Sequence, residues 1–402
     1  MRHAALAIAA LPLAALPFTA HAQGFEYGER NTGFEPAFPE QFRAPLAESG
    51  VQLEMTTLAG GLVHPWGMAV LPGDAGYLVT ERSGQLRHIT PDGAVSSPIS
   101  GVPEVLAQDQ GGLLDVAIGP DFASDRRIYM TYAKPMPGGE NATAAARGVL
   151  SEDLTELSEV EDIFVQDPPS TVPMHFGSRI LFPGDGTAVI TTGEHSSDAT
   201  RDFAQDLDKT YGKVIRVNLD GSIPEDNPYV GDADAVDSIW SYGHRNVQGA
   251  AYDDSGTLWT IEHGPAGGDE LNRPEPGLNY GWPVISYGQR YDGGPIGSGE
   301  SKMEGMEQPV YFWDPVIAPG GMMFHAGESF ADWNGDVLIG SLYPGGVVRL
   351  SLNDEGLVVE EERLLRDAGR VRDVEVLEDG TFLFVTDFEN GSLMHVKPKS
   401  DG

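Results

Sequence analysis

One phrase occurs six times along this chain. An alternating apolar segment, a turn rich in Asp, Gly or Pro, and a second alternating segment closing on a polar or aromatic residue run from Trp66 to Glu81 (WGMAVLPGDAGYLVTE). The phrase returns at Leu113–Tyr132, at Ser178–Glu194 (SRILFPGDGTAVITTGE), at Gly249–Glu262, at Gly321–Ser341 and at Arg372–Asp387 (RDVEVLEDGTFLFVTD). The closing residues Glu81, Tyr132, Glu194, Glu262, Ser341 and Asp387 are 51, 62, 68, 79 and 46 residues apart, enough for four short strands and their loops. Period-2 alternation bounded by turn residues reads as strand, and a strand pair repeated at this spacing reads as one blade of a propeller. Further strands follow the pair at Gly84-QLRHIT, Gly212-KVIRVNL, Gly346-VVRLSL and Gly391-SLMHVKP. The fold class predicted is all-β, a six-bladed β-propeller over residues 51–402. A pair of β-sandwiches is the alternative, but it does not account for six copies of one phrase. The most helix-like stretch, Asp153-LTELSEVEDIF, is open between helix and outer strand.

Residues 1–22 are set apart from the fold. Arg2 and His3 precede a small, apolar run that ends in Ala20-His21-Ala22, which reads as a secretory signal peptide cleaved after Ala22. The run is too short, and too interrupted by Pro12 and Pro17, for the roughly 20 apolar residues a membrane span needs. The mature chain is therefore expected to be exported, periplasmic where the cell has an outer membrane, and not inserted in a membrane. Residues 23–50 lack clean periodicity and read as an N-terminal extension.

Composition removes several function classes. With 61 Asp and Glu against 25 Lys and Arg, the formal charge is −36, and no long basic run offsets it, so a nucleic-acid partner is not expected. Cysteine is absent, which excludes disulfides, thiolate metal sites and cysteine nucleophiles.

In a propeller, the residues that enter each innermost strand and those that leave the second strand share the face around the central channel. The entering positions read His64-Pro65-Trp66, Gln110-Gly111-Gly112, His175-Phe176-Gly177, His244-Arg245-Asn246, Pro319-Gly320-Gly321 and Arg370-Val371-Arg372. The leaving positions include Glu194-His195, Glu262-His263-Gly264-Pro265, Tyr343 and Asp387. A chain poor in cations thus gathers arginines and histidines around one opening.

These residues resemble the soluble, calcium- and pyrroloquinoline-quinone (PQQ)-dependent aldose sugar dehydrogenases of the glucose/sorbosone dehydrogenase group. The phrases that carry the resemblance are HPWGMAV from His64, QGGLLDVAIGPDF from Gln110, HFGSRILF from His175, TGE ending at Glu194 and AQDLDKTYGKVIRV from Ala204. IWSYGHRNVQG from Ile239, EHGPAGGDELN from Glu262, LNYGWP from Leu278 and RVRDV from Arg370 complete the series, which spans His64 to Lys397.

The resemblance implies oxidation of an aldose at C1 to the lactone, with PQQ and Ca2+ as cofactors. It assigns His175 as the general base and Glu194 as the carboxylate that orients it, roles that suit an imidazole with an ordinary pKa of about 6.5 and an acidic partner. Arg245, Arg370 and Arg372 match arginines that grip the three carboxylates of the quinone, in the two-pronged way guanidinium allows. Asn246 and Gln110 match amides that touch cofactor or sugar. The Gly264 and Pro265 carbonyls match calcium ligands, and Glu270 with the Tyr280 carbonyl matches a second, structural calcium site, the alternative being that DELN and NYGWP simply shape a Gly/Pro-rich loop. One position departs from the family: Tyr343 stands where a cofactor-contacting lysine is usual, so PQQ binding is expected to be weaker and more dependent on calcium and salt.

The substrate is left at the level of an aldose, with Tyr287, Tyr291 or Trp313, on the long stretch from Gly264 to Trp313, as candidate sugar platforms. The electron acceptor is not defined by any motif. Two readings from other classes are a calcium-dependent sugar lactonase-like hydrolase, which would want several carboxylates in the channel, and a non-catalytic binding propeller, which would need neither His175 nor the arginines. The acidic, lysine-poor surface reads as adaptation to salty surroundings, where a Debye length near 3 Å at about 1 M hides distant charge. Activity and stability are then expected to hold or rise from dilute buffer toward that salt concentration; a maximum of both in dilute buffer would contradict it.

Overall fold

The computed structural model describes residues 25–399. The expected signal peptide, residues 1–22, lies outside the described residues. Six antiparallel sheets follow one another along the chain and stand radially, with the innermost strands Pro65–Val70, Leu113–Ile118, Gly177–Leu181, Val247–Tyr252, Pro319–Phe324 and Val371–Val376 packed side by side in a closed ring. The expected six-bladed propeller is the observed fold. Each sheet is apolar on both faces because each is covered by two neighbours. The cluster between blades one and two holds Leu78, Leu86, Leu113 and Ile128, and that between blades four and five holds Trp259, Leu271, Val337 and Ile339. Helix is confined, among the described residues, to one short turn at Phe122–Asp125 and scattered 3-10 turns.

The ring is closed by a strand that the repeat did not announce. Leu53–Leu62, N-terminal to the first copy, pairs antiparallel with Gly391–Pro398 and forms the outer strand of blade six, so the two ends of the chain are joined in one sheet. Ala59 and Leu62 from this strand bury against Val385 and Leu393. Blade one has three regular strands, Pro65–Val70, Tyr77–Glu81 and Gln85–Ile89, with a single bridge from Ile89 to Val95 in place of a fourth.

The helix-like stretch resolves as strand. Leu157–Val165 is the outer strand of blade two, paired with Glu140–Leu150, and its Leu157, Ile163 and Phe164 are buried between blades. Pairing and burial outweigh the modest helix preference of its Leu and Glu residues. The long segment from Arg273 to Val310 lies within blade four, between its strands Asp269–Asn272 and Tyr311–Trp313.

Candidate active site

Every blade carries the same irregularity at one end. The pairing of innermost and second strands slips between Pro65 and Met68, Leu113 and Val116, Gly177 and Ile180, Val247 and Gly249, Pro319 and Met322, and Val371 and Asp373. A bulge bends the strand and re-aims its side chains, and here six of them turn the strand starts toward the channel mouth. The backbone just before three of these strands is in the left-handed region, with φ of +46° at His64, +47° at His175 and +46° at Ala318. Such conformations are costly for non-glycine residues and concentrate at functional sites.

The strand starts surround a cavity of about 450 Å³ lined by His64, Trp66, Gln110, His175, Asn246 and Gln248, with Arg82, Arg245, Arg370 and Arg372 supplying charge. His175 is buried and its Nδ1 lies 2.7 Å from Glu194 Oε1. A carboxylate there accepts the Nδ1 proton, which leaves Nε2 as the basic nitrogen for the cavity. The His175 backbone N–H donates to Gln110 Oε1 at 2.9 Å, so Gln110 fixes the histidine as well as lining the cavity. Burial, and next the Arg245 guanidinium, hold the His175 imidazole below its ordinary pKa, while Glu194 pulls the other way. Glu194 is buried and its Oε2 has no hydrogen-bond partner among the described residues. The approach of the two strands depends on Gly193, where an added Cβ would lie 1.9 Å from the His175 carbonyl oxygen.

The arginines are organised by a carboxylate that the sequence placed at a leaving position on the channel face without a role. Asp387 Oδ2 accepts from Arg370 Nη2 at 2.9 Å and from Arg372 Nη2 at 2.8 Å, and its Oδ1 lies 2.9 Å from His64 Nδ1. Burial raises and these partners, Arg372 foremost, lower the Asp387 pKa, and the net position is far below the usual carboxylate range. Arg372 also donates to Gln248 Oε1 at 2.8 Å, whereas Arg370 is largely exposed. Arg245 stacks over Trp282 at 5.1 Å and donates to the His263 carbonyl at 2.9 Å; its backbone N–H is held by Glu262. Burial, then Arg245 and Arg372, push the His263 imidazole down to about 3, so it adds no charge of its own. Asn246 accepts the Gly177 N–H at 3.0 Å and thereby joins blade four to blade three beside His175.

The remaining predicted residues divide. Pro265 lines an adjoining cavity of about 290 Å³ with Glu194, Arg245, Trp282 and Tyr291. Gly264, Glu270 and Tyr280 surround a small void behind Arg245 together with Glu262. Tyr343 is not brought into the cavity: its side chain is 67% exposed, while its neighbour Leu342 faces inward. Of the three candidate sugar platforms only Tyr291, 81% exposed and lining both cavities, reaches the mouth. Tyr287 and Trp313 are core residues. Tyr287 stacks on Phe312 at 3.9 Å, and the Trp313 indole N–H donates to buried Glu361 at 3.0 Å, so packing and a satisfied polar tip keep both inside.

The donor set around Gly264 and Glu270 suits a hard cation. An added Cβ at Gly264 would come within 2.3 Å of the Gly267 carbonyl oxygen and 2.2 Å of that of Gly268, so only glycine lets this loop fold its carbonyls together. Glu270 lies directly opposite Glu262 across the strand pair, and burial followed by the Glu262 charge lifts its carboxyl well above the ordinary range. Like charges in that register are unfavourable, and either a proton on Glu270 or a cation beside it relieves them. Among the described residues no three acidic, histidine or cysteine side chains converge on one point, so a cation here would rely on carbonyl oxygens.

The sequence pattern of the glucose/sorbosone dehydrogenase family matches residues 62–395. The chain belongs to this family. Its members among curated proteins include the aldose sugar dehydrogenase YliI of Escherichia coli, 42% identical over 351 residues that cover 87% of this chain and 94% of the relative. The crystal structure of the soluble E. coli aldose sugar dehydrogenase in its apo form superposes with a TM-score of 0.83 at 41% identity, covering 87% of this chain and all of that one. The PQQ-bound aldose sugar dehydrogenase of Streptomyces coelicolor superposes with a TM-score of 0.68 at 27% identity, covering 86% and 99%. For this glucose/sorbosone dehydrogenase family member, sequence reasoning placed Asp387, Trp66 and Arg82 on the channel face but gave them no role, and it missed Trp282. The first three sit at entering or leaving positions of their blades, which is the signal that marks them; Trp282 lies on the long blade-four segment, where no repeat locates it.

Proposed function

We propose that this chain oxidises aldose sugars at C1 to the lactone, with PQQ and Ca2+ held at the channel mouth. The observation that carries the reading is the buried His175–Glu194 pair in the wall of a cavity otherwise rich in arginine. When bound, the quinone supplies the hydride acceptor and calcium the polarising charge beside it. His175 Nε2 takes the proton of the C1 hydroxyl, and Glu194 holds the proton on Nδ1 and stabilises the imidazolium that results. Arg245, Arg370 and Arg372 offer the cations a tri-carboxylate ligand requires in a protein of charge −36. Gly264 and Pro265 would hold the catalytic calcium through their carbonyls, and Glu270 with the Tyr280 carbonyl a second, structural ion. Tyr291 is the proposed sugar contact, a reading its position at the mouth of both cavities supports. A lactonase would need carboxylates free in the channel, and Asp387 is instead tied to two arginines and His64.

The test is to add PQQ and calcium to the purified apoprotein and follow dye reduction with glucose and other aldoses. Reduction that requires all three components supports the reading; lactone hydrolysis without dye reduction would sink it. The Tyr343 position gives a smaller effect. Tyr343→Lys is expected to tighten PQQ binding by about 2- to 5-fold in dilute buffer, the worth of an exposed ion pair, and by nothing near 1 M salt. Titration of the quinone into apoprotein at both ionic strengths measures it.

A further inference from the structure

Residues 25–49 lie ahead of the family match, which begins at residue 62, and they run along the outer edges of blades four and five through parallel bridges from Phe42 to Phe312 and from Leu46 to Glu361. Some of their contacts tie down the blade edges, at Pro309, Tyr311 and Glu362, and two residues lead further inward. The first is Asp314, buried and bound by four donors from two consecutive positions: the Asn31 N–H and side-chain amide reach Oδ1 at 2.8 and 2.7 Å, and the Thr32 N–H and hydroxyl reach Oδ2 at 2.8 and 3.0 Å. The second is Tyr287. Its hydroxyl donates toward Gln41 Oε1 at 3.0 Å, its carbonyl lies 3.1 Å from the Thr32 hydroxyl, and its ring stacks on Phe312, which stacks in turn on Phe42.

Both anchors lead to the candidate site. Asp314 presses on the glycine loop that offers the Gly264 and Pro265 carbonyls: a Cβ added at Gly267 would lie 2.8 Å from Asp314 Oδ1, and the Gly268 N–H donates to the Trp313 carbonyl at 2.8 Å. Two residues after Tyr287, Gln289 pairs with Ala266 of the same glycine loop through two backbone hydrogen bonds of 3.0 and 3.1 Å. Two further on, Tyr291 stands at the mouth. The glycine loop, rich in residues without side chains to pack, therefore takes its shape from neighbours rather than from its own contacts.

We propose that the N-terminal extension is a positioning brace, which holds the glycine loop and the Tyr287–Tyr291 segment in the geometry that binds metal and substrate. The metal-binding half rests on the proposed function; the bracing itself does not. A merely structural extension would steady the whole propeller by covering two blade edges, and the two roles predict different patterns of loosening.

The test uses the full chain carrying Asn31→Ala with Thr32→Ala, beside Thr32→Val as a milder change and Thr32→Ser as the conservative one. In the double variant, hydrogen–deuterium exchange at the Ala266 and Gln289 amides is expected to quicken by roughly tenfold or more, as the loss of hydrogen bonds to a buried carboxylate implies, while the inner strands of blades one to three exchange as before. The calcium concentration for half-maximal activity should rise several-fold with kcat at saturating calcium little changed, Thr32→Val should show a smaller shift of the same kind, and Thr32→Ser should match the parent chain. Unchanged exchange at Ala266 and Gln289, or quickening spread evenly over all six blades, would overturn the brace. Should the double variant not fold, Thr32→Val read against Thr32→Ser decides by the same pattern. If the parent chain oxidised no aldose, the proposed function would fall while the exchange data still decided the bracing.

Discussion

Replacing His175 by alanine is expected to lower kcat for aldose oxidation by roughly 10²–10⁴-fold, the usual worth of a positioned general base, with the sugar KM little changed. The change removes a buried imidazole that lines the cavity with a carboxylate of its own behind it; the other such imidazole, His64, is partly exposed and shares Asp387 with two arginines. His263 is too weak a base, with its carbonyl contact to Pro319 and its pKa near 3. The pH profile supplies a second check. The working form of His175 is the neutral one, and burial with Arg245 moves its pKa downward from 6.5. The midpoint of the acid limb of kcat should therefore lie below pH 6.5. Glu194→Gln removes the interaction that raises this pKa, so it should shift the limb further toward acid and lower the plateau, because the imidazolium loses its stabilising charge. Full turnover by His175→Ala in the dye assay would remove the base assignment.

Arg372→Ala is expected to weaken PQQ binding by about 10- to 100-fold, since hydrogen bonds to charged groups are worth about 1.5–3 kcal/mol and each 1.4 kcal/mol is tenfold. Burial is what gives this arginine its weight: Arg372 is 8% exposed, lines the cavity, and its Nε has no partner among the described residues. Arg370 shares Asp387 with it but is largely open to solvent, and Arg370→Ala should cost several-fold less. Asp387 holds the two guanidiniums and His64 in one fixed fan, which spares a ligand the cost of ordering them. Titration of PQQ into each apo variant at fixed calcium, followed by absorbance, measures the ratio; equal affinities for the parent chain and Arg372→Ala would show that the cofactor lies elsewhere.

The chain wrote its blades locally and its closure non-locally. Alternation and turn residues are properties of neighbours in sequence, so the six strand pairs, the outer strands such as Lys213–Asn218, and the entering positions of His175, Arg245 and Arg372 were all legible. Glu194 was legible too, because the end of a second strand lies on the same face as the start of the first. What depends on residues hundreds of positions apart was not. Leu53–Leu62 closes blade six only because Gly391–Pro398 arrives beside it, and His64 joins Asp387, which holds Arg370 and Arg372 of its own blade, only once the first and last blades meet. Tyr287, Tyr291 and Trp313 look alike as aromatics in a glycine-rich stretch, and burial against Phe312 and Glu361 decides that two of them are core and one is at the mouth.

By itself, then, the sequence determined six blades, the face on which chemistry is placed, and the residue types gathered there, since period-2 alternation and turn spacing are local. Tertiary structure alone decided how the ring closes, which histidine joins Asp387 and its arginines, and what an unpatterned N-terminal extension rests upon, since those are set by contacts between distant parts of the chain.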